Sequence, residues 1–275
     1  MKKGTLFISI LTLALLQACG GDGGDSGSAS SPTGGGGGTT PPASGDQGSV
    51  SAPFVVNAQG RFMVFATSAA SMGPLTSVQQ TDSGAVVSLS GYNTVSLSGN
   101  TLIKDIAGDA SYAIGRWVQG TATIPSVGPV ELTGADSPSY HYAVYNVPAS
   151  FPATGSYTCV LQSATTPTLL VGGRGPETGS VSSQGVGLRF DSAGANLSGS
   201  LTITAGGESV TADMPTPMPN PTSLVASGQY YNGSGNLPQV TDAGNGSYGL
   251  MVGYAAQMAS GAPYQGVAYM SCTAN

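Results

Sequence analysis

The chain has 275 residues, only 7% of them charged, with 43 glycines and a formal net charge of −6. So sparse and acidic a composition excludes the basic footprint that nucleic acid or anionic head groups require. Hydrophobic residues make up 40%, enough for a core, and long helical apolar stripes are absent beyond residue 53, which predicts an exported β protein.

Lys2 and Lys3 precede an apolar run over residues 6–16, broken only by Ser9 and Thr12. That length suits a secretory h-region and falls short of a membrane span. The four residues Leu16-Gln17-Ala18-Cys19 resemble the bacterial lipobox. The resemblance implies cleavage before Cys19, a diacylglycerol thioether on its sulfur and acylation of the new amino terminus. Small Ala18 leaves the bond open to a peptidase, and the Cys19 thiol is the only nucleophile nearby. Two or more acyl chains make a stable anchor at about 0.8 kcal/mol per buried CH₂. Residues 1–18 then read as a lipoprotein signal peptide, and its removal leaves five basic and 13 acidic side chains, net −8. Gly20 stands where an aspartate retains enteric lipoproteins in the inner membrane. The expected location is therefore the bacterial outer membrane, with the leaflet open.

Residues 19–52 are low complexity, from Gly20-Gly21-Asp22-Gly23-Gly24 to Pro41-Pro42, and read as a flexible, disordered tether spanning roughly 30 Å. Gly24-Asp25-Ser26-Gly27 imitates a serine-protease nucleophile context, but nothing in a tether orients a base.

From Pro53 the pattern turns to short strands. Phe62 and Val64 alternate with Met63 and Phe65, which predicts a strand covered on both faces. Residues 85–90, 94–97 and 101–106 are separated by Gly91 and by Gly99-Asn100, as hairpin connections are. Residues 111–124 read as a strand with Gly115 and Gly120 as kinks; 141–147 and 156–161 follow, joined by a turn over 148–155. Val186, Leu188 and Phe190 lead into the clearest alternation, Leu197, Leu201 and Ile203 against Ser198, Ser200, Thr202 and Thr204. Residues 214–221, with four prolines, predict an exposed loop. Tyr248, Leu250, Val252 and Tyr254 alternate again, as do Val267 and Tyr269 against Ala268 and Met270. The expected fold is all-β and mostly antiparallel: an eight-stranded β-barrel over 109–275 with an N-terminal β extension over 53–108.

With Cys19 spent on lipid, Cys159 and Cys272 form an even pair in an oxidising compartment, and a bridge between them would staple the last strand. Two buried thiols are the alternative.

Groups for catalysis are scarce. The single histidine, His141, lies between Tyr140 and Tyr142 and reads as a half-exposed structural residue. No Gly-x-Ser-x-Gly elbow occurs, and Lys104, the sole lysine after residue 18, ends no phosphate-cradling loop. Asp105 with Asp109, and Glu131 with Asp136, are the nearest carboxylate pairs and sit in turn-like segments. One histidine and two distant cysteines make no metal set. The reading is of no enzyme, no cofactor and no metal. Trp117 reads as core, whereas Tyr230, Tyr231 and Tyr264 lie beside Gly- or Pro-containing turns and are the candidates for holding a protein partner.

Gly115-Arg116-Trp117-Val118-Gln119-Gly120, Tyr140-His141-Tyr142-Ala143-Val144, Gly155-Ser156-Tyr157-Thr158-Cys159 and residues 164–168 together resemble the β-barrel domain of transferrin-binding protein B-like lipoproteins. Factor H-binding protein-like surface lipoproteins share that barrel. Residues 187–190 and 197–204 fit a strand-turn-strand unit of the same domain. The resemblance covers about residues 110–275 and implies a surface lipoprotein whose barrel binds a protein. The chain lacks the two long lobes and their charged loops. Alternatives are a periplasm-facing structural or assembly lipoprotein, and a carrier of a small hydrophobic ligand inside the barrel.

Overall fold

The structure is a computed structural model and describes residues 45–66, 70–134, 139–170, 179–214, 217–228, 230 and 233–275. The predicted signal peptide, Cys19 and the tether up to residue 44 lie outside these. The fold is all-β, and its strands pair antiparallel in two sheets.

The N-terminal sheet holds β1 (Gly60–Phe65), β2 (Ala70–Pro74), β3 (Ser77–Gln80), β4 (Val86–Ser90), β5 (Thr94–Asp109), β6 (Tyr112–Ile124), β7 (Gly128–Thr133) and β8 (Tyr140–Asn146). Its order is β2-β1-β8-β6-β5-β4-β3, with β7 on the second half of β6. β2 and β3 are consecutive, so the sheet curls into a half-barrel. At its corner the Leu75 N–H donates to Gly60 O and the Thr76 N–H to Ser90 O, at 2.8 and 2.7 Å.

Alternation in β1 works as expected. Phe62 and Val64 join the half-barrel core with Trp117, Tyr142 and Val144, while Met63 and Phe65 face the other way and are equally buried. The Trp117 Nε1–H donates to Val86 O at 2.7 Å, and the Val86 N–H donates to the Tyr142 hydroxyl at 3.1 Å. Gly115 is not a kink: a methyl there would overlap the Tyr142 ring. Gly120 does adopt the left-handed region, at φ 118.

β5 is one 16-residue strand, because Gly99, at φ 83, makes a bulge where a hairpin was expected. Residues 45–52 are not free tether. The Gln47 N–H donates to Ile103 O at 2.9 Å and Gln47 O accepts from the Ile106 N–H at 3.1 Å. Asp46 Oδ1 accepts from the Ile103 N–H at 3.0 Å, so a side chain completes what the short ladder lacks.

The C-terminal sheet holds β9 (Gly155–Ala164), β10 (Thr168–Leu169), β11 (Gly179–Asp191), β12 (Gly194–Ala205), β13 (Glu208–Asp213), β14 (Pro217–Met218), β15 (Ser227–Gly228), β16 (Gly235–Gly244), β17 (Ser247–Gln257) and β18 (Pro263–Ala274). Eight of these follow the order β13-β12-β11-β9-β18-β17-β16-β15, a nearly closed barrel. Leu188, Phe190, Leu201, Ile203, Val240, Leu250, Val252 and Met270 fill its interior. Thr202 and Thr204 face outward and meet Thr211 and Ser209 of β13 through their hydroxyls. Residues 214–221 are not wholly an exposed loop: Met214 and Met218 are buried, and β14 pairs with β12.

The sheets divide within 147–154, not at 108/109, which falls in the hairpin joining β5 to β6. They meet face to face. Met63, Phe65, Tyr112, Ile114 and Tyr145 of the half-barrel pack on Leu237, Met251, Val267 and Tyr269 of the barrel. Tyr112 and Tyr269 stack with centroids 3.5 Å apart. A methyl at Gly253 would overlap the Phe65 ring, so glycine sets how closely the sheets approach.

Candidate functional site

The polar side chains with chemistry converge on the junction between the sheets. β6 and β8 alternate, so Arg116 and His141 lie on the same face as Tyr112, Ile114 and Ala143, toward the barrel. Asp105, held at φ 57 where β5 bulges, presents its carboxylate there. Its Oδ2 accepts from the Arg116 Nε–H at 2.9 Å and from the Thr166 N–H of the barrel at 2.8 Å. The Arg116 Nη1–H donates to Ser139 Oγ at 3.1 Å. One carboxylate thus satisfies a buried guanidinium and a backbone amide from the opposite sheet, which is what a buried ion pair needs in order not to cost stability.

His141 is 0% exposed, not half-exposed as its sequence neighbours suggested. Its Nδ1 lies 2.8 Å from Thr165 Oγ1 and its Nε2 2.6 Å from Thr168 Oγ1. A neutral ring donates from one nitrogen and accepts at the other, and a hydroxyl can play either part. Burial, reinforced by the Arg116 charge, holds the ring well below the usual imidazole value of 6.5. Thr165 Oγ1 also accepts from the Val267 N–H at 3.0 Å, and Thr165 O accepts from the Tyr254 hydroxyl at 3.0 Å. Burial raises the Tyr254 phenol well above its ordinary value, so it stays a proton donor. Gln265, the cross-strand neighbour of Thr168, leaves its Nε2 without a hydrogen-bond partner. This is a closed, neutral-histidine network that locks two sheets together. Both ring nitrogens of His141 are thus engaged by threonine hydroxyls within the protein.

The carboxylates paired in the sequence have partners of their own. Asp105 is bound to Arg116, while Asp109 accepts from the Ser111 N–H and hydroxyl at 2.7 and 2.6 Å. Glu131 accepts from Thr121 Oγ1 on the surface, and Asp136 lies outside the described residues. Among the described residues no group of three or more His, Cys, Asp or Glu could hold a metal ion.

Cys159 and Cys272 are joined by a disulfide and stand directly opposite each other on β9 and β18. The tyrosines fare differently. Tyr264 is not presented at its turn: it is 4% exposed and packs in the barrel interior, because β18 begins at Pro263 and its alternation turns residue 264 inward. Tyr230 is half-buried, edge-on to Phe65 at 6.2 Å. Tyr231 lies outside the described residues. Among the described residues the most exposed aromatic is Tyr92, at 89%, on the hairpin between β4 and β5. The Ser90-Gly91 turn signal marks that hairpin in the sequence, although nothing there singles out the ring.

Surface concavities are shallow. One of ≈ 380 Å³ lies over β9, β11 and β12 beside Asn275, and one of ≈ 420 Å³ lies among 149–153, 191–194 and 219–221. A third, of ≈ 320 Å³, separates β9 from β11. Compared with models of protein families, with curated proteins and with solved structures, the chain matches none.

Proposed function

We propose that the chain is a lipid-anchored lipoprotein of the bacterial outer membrane whose β-barrel is a non-catalytic module binding a protein partner at the cell surface. The observation that carries the reading is the packed barrel interior, with Leu188, Leu201, Ile203, Leu250, Val252 and Met270 all buried. A barrel filled by its own side chains leaves recognition to its outer wall and loops. The carrier alternative needs an interior cavity in the space where these side chains pack. The lipobox-like Leu16-Gln17-Ala18-Cys19 supports the anchor, and the resemblance to transferrin-binding protein B-like barrels supports the partner class by analogy of fold.

Cells fed an alkyne fatty acid should label the wild-type chain and not the Cys19→Ser variant. Protease shaving of intact cells should remove the barrel. Protection that persists until the outer membrane is permeabilised would turn the module inward, to the structural or assembly role.

A further inference from the structure

Between β9 and β11 the wall of the barrel opens along part of its length. β9 and β11 pair from Gly155↔Phe190 to Thr158↔Gly187 and no further. Both strands continue beyond that, β9 to Ala164 and β11 back to Gly179, each paired among the described residues on its other side alone. An irregularity in β11 between Gln184 and Gly187, with Gly185 at φ 59, turns the strand away. The open groove of ≈ 320 Å³ between them is lined by Leu161, Gln162, Ser180 and Val181 among others.

Register fixes which backbone groups face that groove. The β12–β13 hairpin closes on Ala205↔Glu208, so Ala205, Ile203 and Leu201 bond toward β13. Thr204, Thr202 and Ser200 then bond toward β11, to Ser180, Ser182 and Gln184. Val181 and Ser183 are left directing their N–H and C=O groups into the groove. On β9, the Cα atoms of Cys159 and Cys272 are 4.0 Å apart, the spacing of a non-hydrogen-bonded pair. Alternation from there turns the Leu161 amide away from β18 and into the groove. Neither stretch carries the lysine, proline or inward charge that usually blunts an open edge. Leu161 and Val181 pack inward against the barrel core, whereas Gln162, Ser180 and Ser182 are exposed.

We propose that this groove accepts an extended peptide segment of the protein partner, added as a strand to the barrel wall. The inference rests on reading the barrel as a protein-binding module. Facing rows of free amides and carbonyls recognise another backbone by strand addition. The incoming segment alternates, with apolar residues over Leu161 and Val181 and hydroxyl or amide residues outward.

The test pans a displayed library of random peptides of about ten residues, the length of a long strand, against the full chain. Enriched sequences should alternate apolar and polar residues. A synthetic copy should bind the wild type and bind Ser183→Pro at least about tenfold more weakly, a loss of ~1.4 kcal/mol. Proline at that position removes a groove-facing N–H and leaves the ladder to β12 intact. Circular dichroism and the thermal midpoint verify that the variant folds. Independently of any variant, the Leu161, Val181 and Ser183 amides of the wild type should exchange quickly alone and slowly with peptide. Equal binding by a folded Ser183→Pro chain, protection elsewhere, or no enriched peptide would overturn strand addition. Each of those results leaves the surface-binding reading to the shaving experiment, which fails separately if the barrel is protected in intact cells.

Discussion

Where β9 meets β18, a backbone ladder runs from Ala164 to Tyr157 and a disulfide crosses it at Cys159–Cys272. Where β13 meets β16, no strand register joins the two among the described residues, and side chains do the joining. The Asn236 Nδ2 amide donates to Ala212 O at 3.0 Å and to Asp213 O at 3.2 Å, and Ser227 Oγ donates to Asp213 O at 3.0 Å. The first junction unites the first and last long strands of the barrel and is fixed covalently. The second is held by side-chain hydrogen bonds, two of which a substitution at Asn236 removes. The barrel is thus closed by a latch that survives local opening and by a clasp that does not.

Removing the latch has the largest expected effect. The bridge spans a sequence separation of 113, and losing a loop constraint of that size lowers stability by about 4–5 kcal/mol in the chain-entropy model. Urea unfolding of the Cys159→Ala, Cys272→Ala double variant should show this loss with a native-like circular dichroism spectrum, because the ladder remains. A helical or coil spectrum would mean that the bridge shapes the fold as well. Breaking the clasp comes next. Asn236→Ala leaves the Ala212 and Asp213 carbonyls without that donor, at a cost of about 1–3 kcal/mol. Hydrogen exchange should rise first along β13 and β16, and unchanged exchange there would place the closure elsewhere.

The inter-sheet junction gives a smaller, pH-dependent effect. The His141 ring titrates lower in the folded chain than its unfolded 6.5, so the unfolded chain binds the extra proton in that window. Stability should therefore be fully present above pH 6.5 and fall on acidification, by up to about 1.4 kcal/mol per pH unit, until the folded value is reached. His141→Gln should flatten that slope below neutrality, and parallel profiles for the two chains would remove His141 from the account. Tyr92→Ser, at an exposed ring, should change stability by less than about 0.5 kcal/mol.

Much of this architecture is legible in the chain before folding. Two-faced burial at Phe62, Met63, Val64 and Phe65 is local alternation, and the Leu197 to Thr204 pattern is alternation against solvent. The Cys159–Cys272 bridge is legible as the even pair left once Cys19 is read as lipidated. What escapes the sequence is what depends on distant partners. His141 looks half-exposed beside two tyrosines because Thr165 and Thr168 reach it from the other sheet. Tyr264 looks presented because a proline precedes it, yet strand phase turns it inward. The Gly99 bulge looks like a hairpin because both use a glycine at positive φ. Asn236 carries no local sign that it closes a barrel.

Phe65 against Gly253, and Tyr112 on Tyr269, have a practical consequence for anyone dissecting the molecule. Cutting the chain in the turn between β8 and β9 would strip cover from a continuous oily face on each half. Neither piece should stay dispersed when expressed separately, and the two produced in one cell should find each other and co-purify. Work that needs a smaller fragment should begin upstream of Gly45 and keep both sheets in one polypeptide.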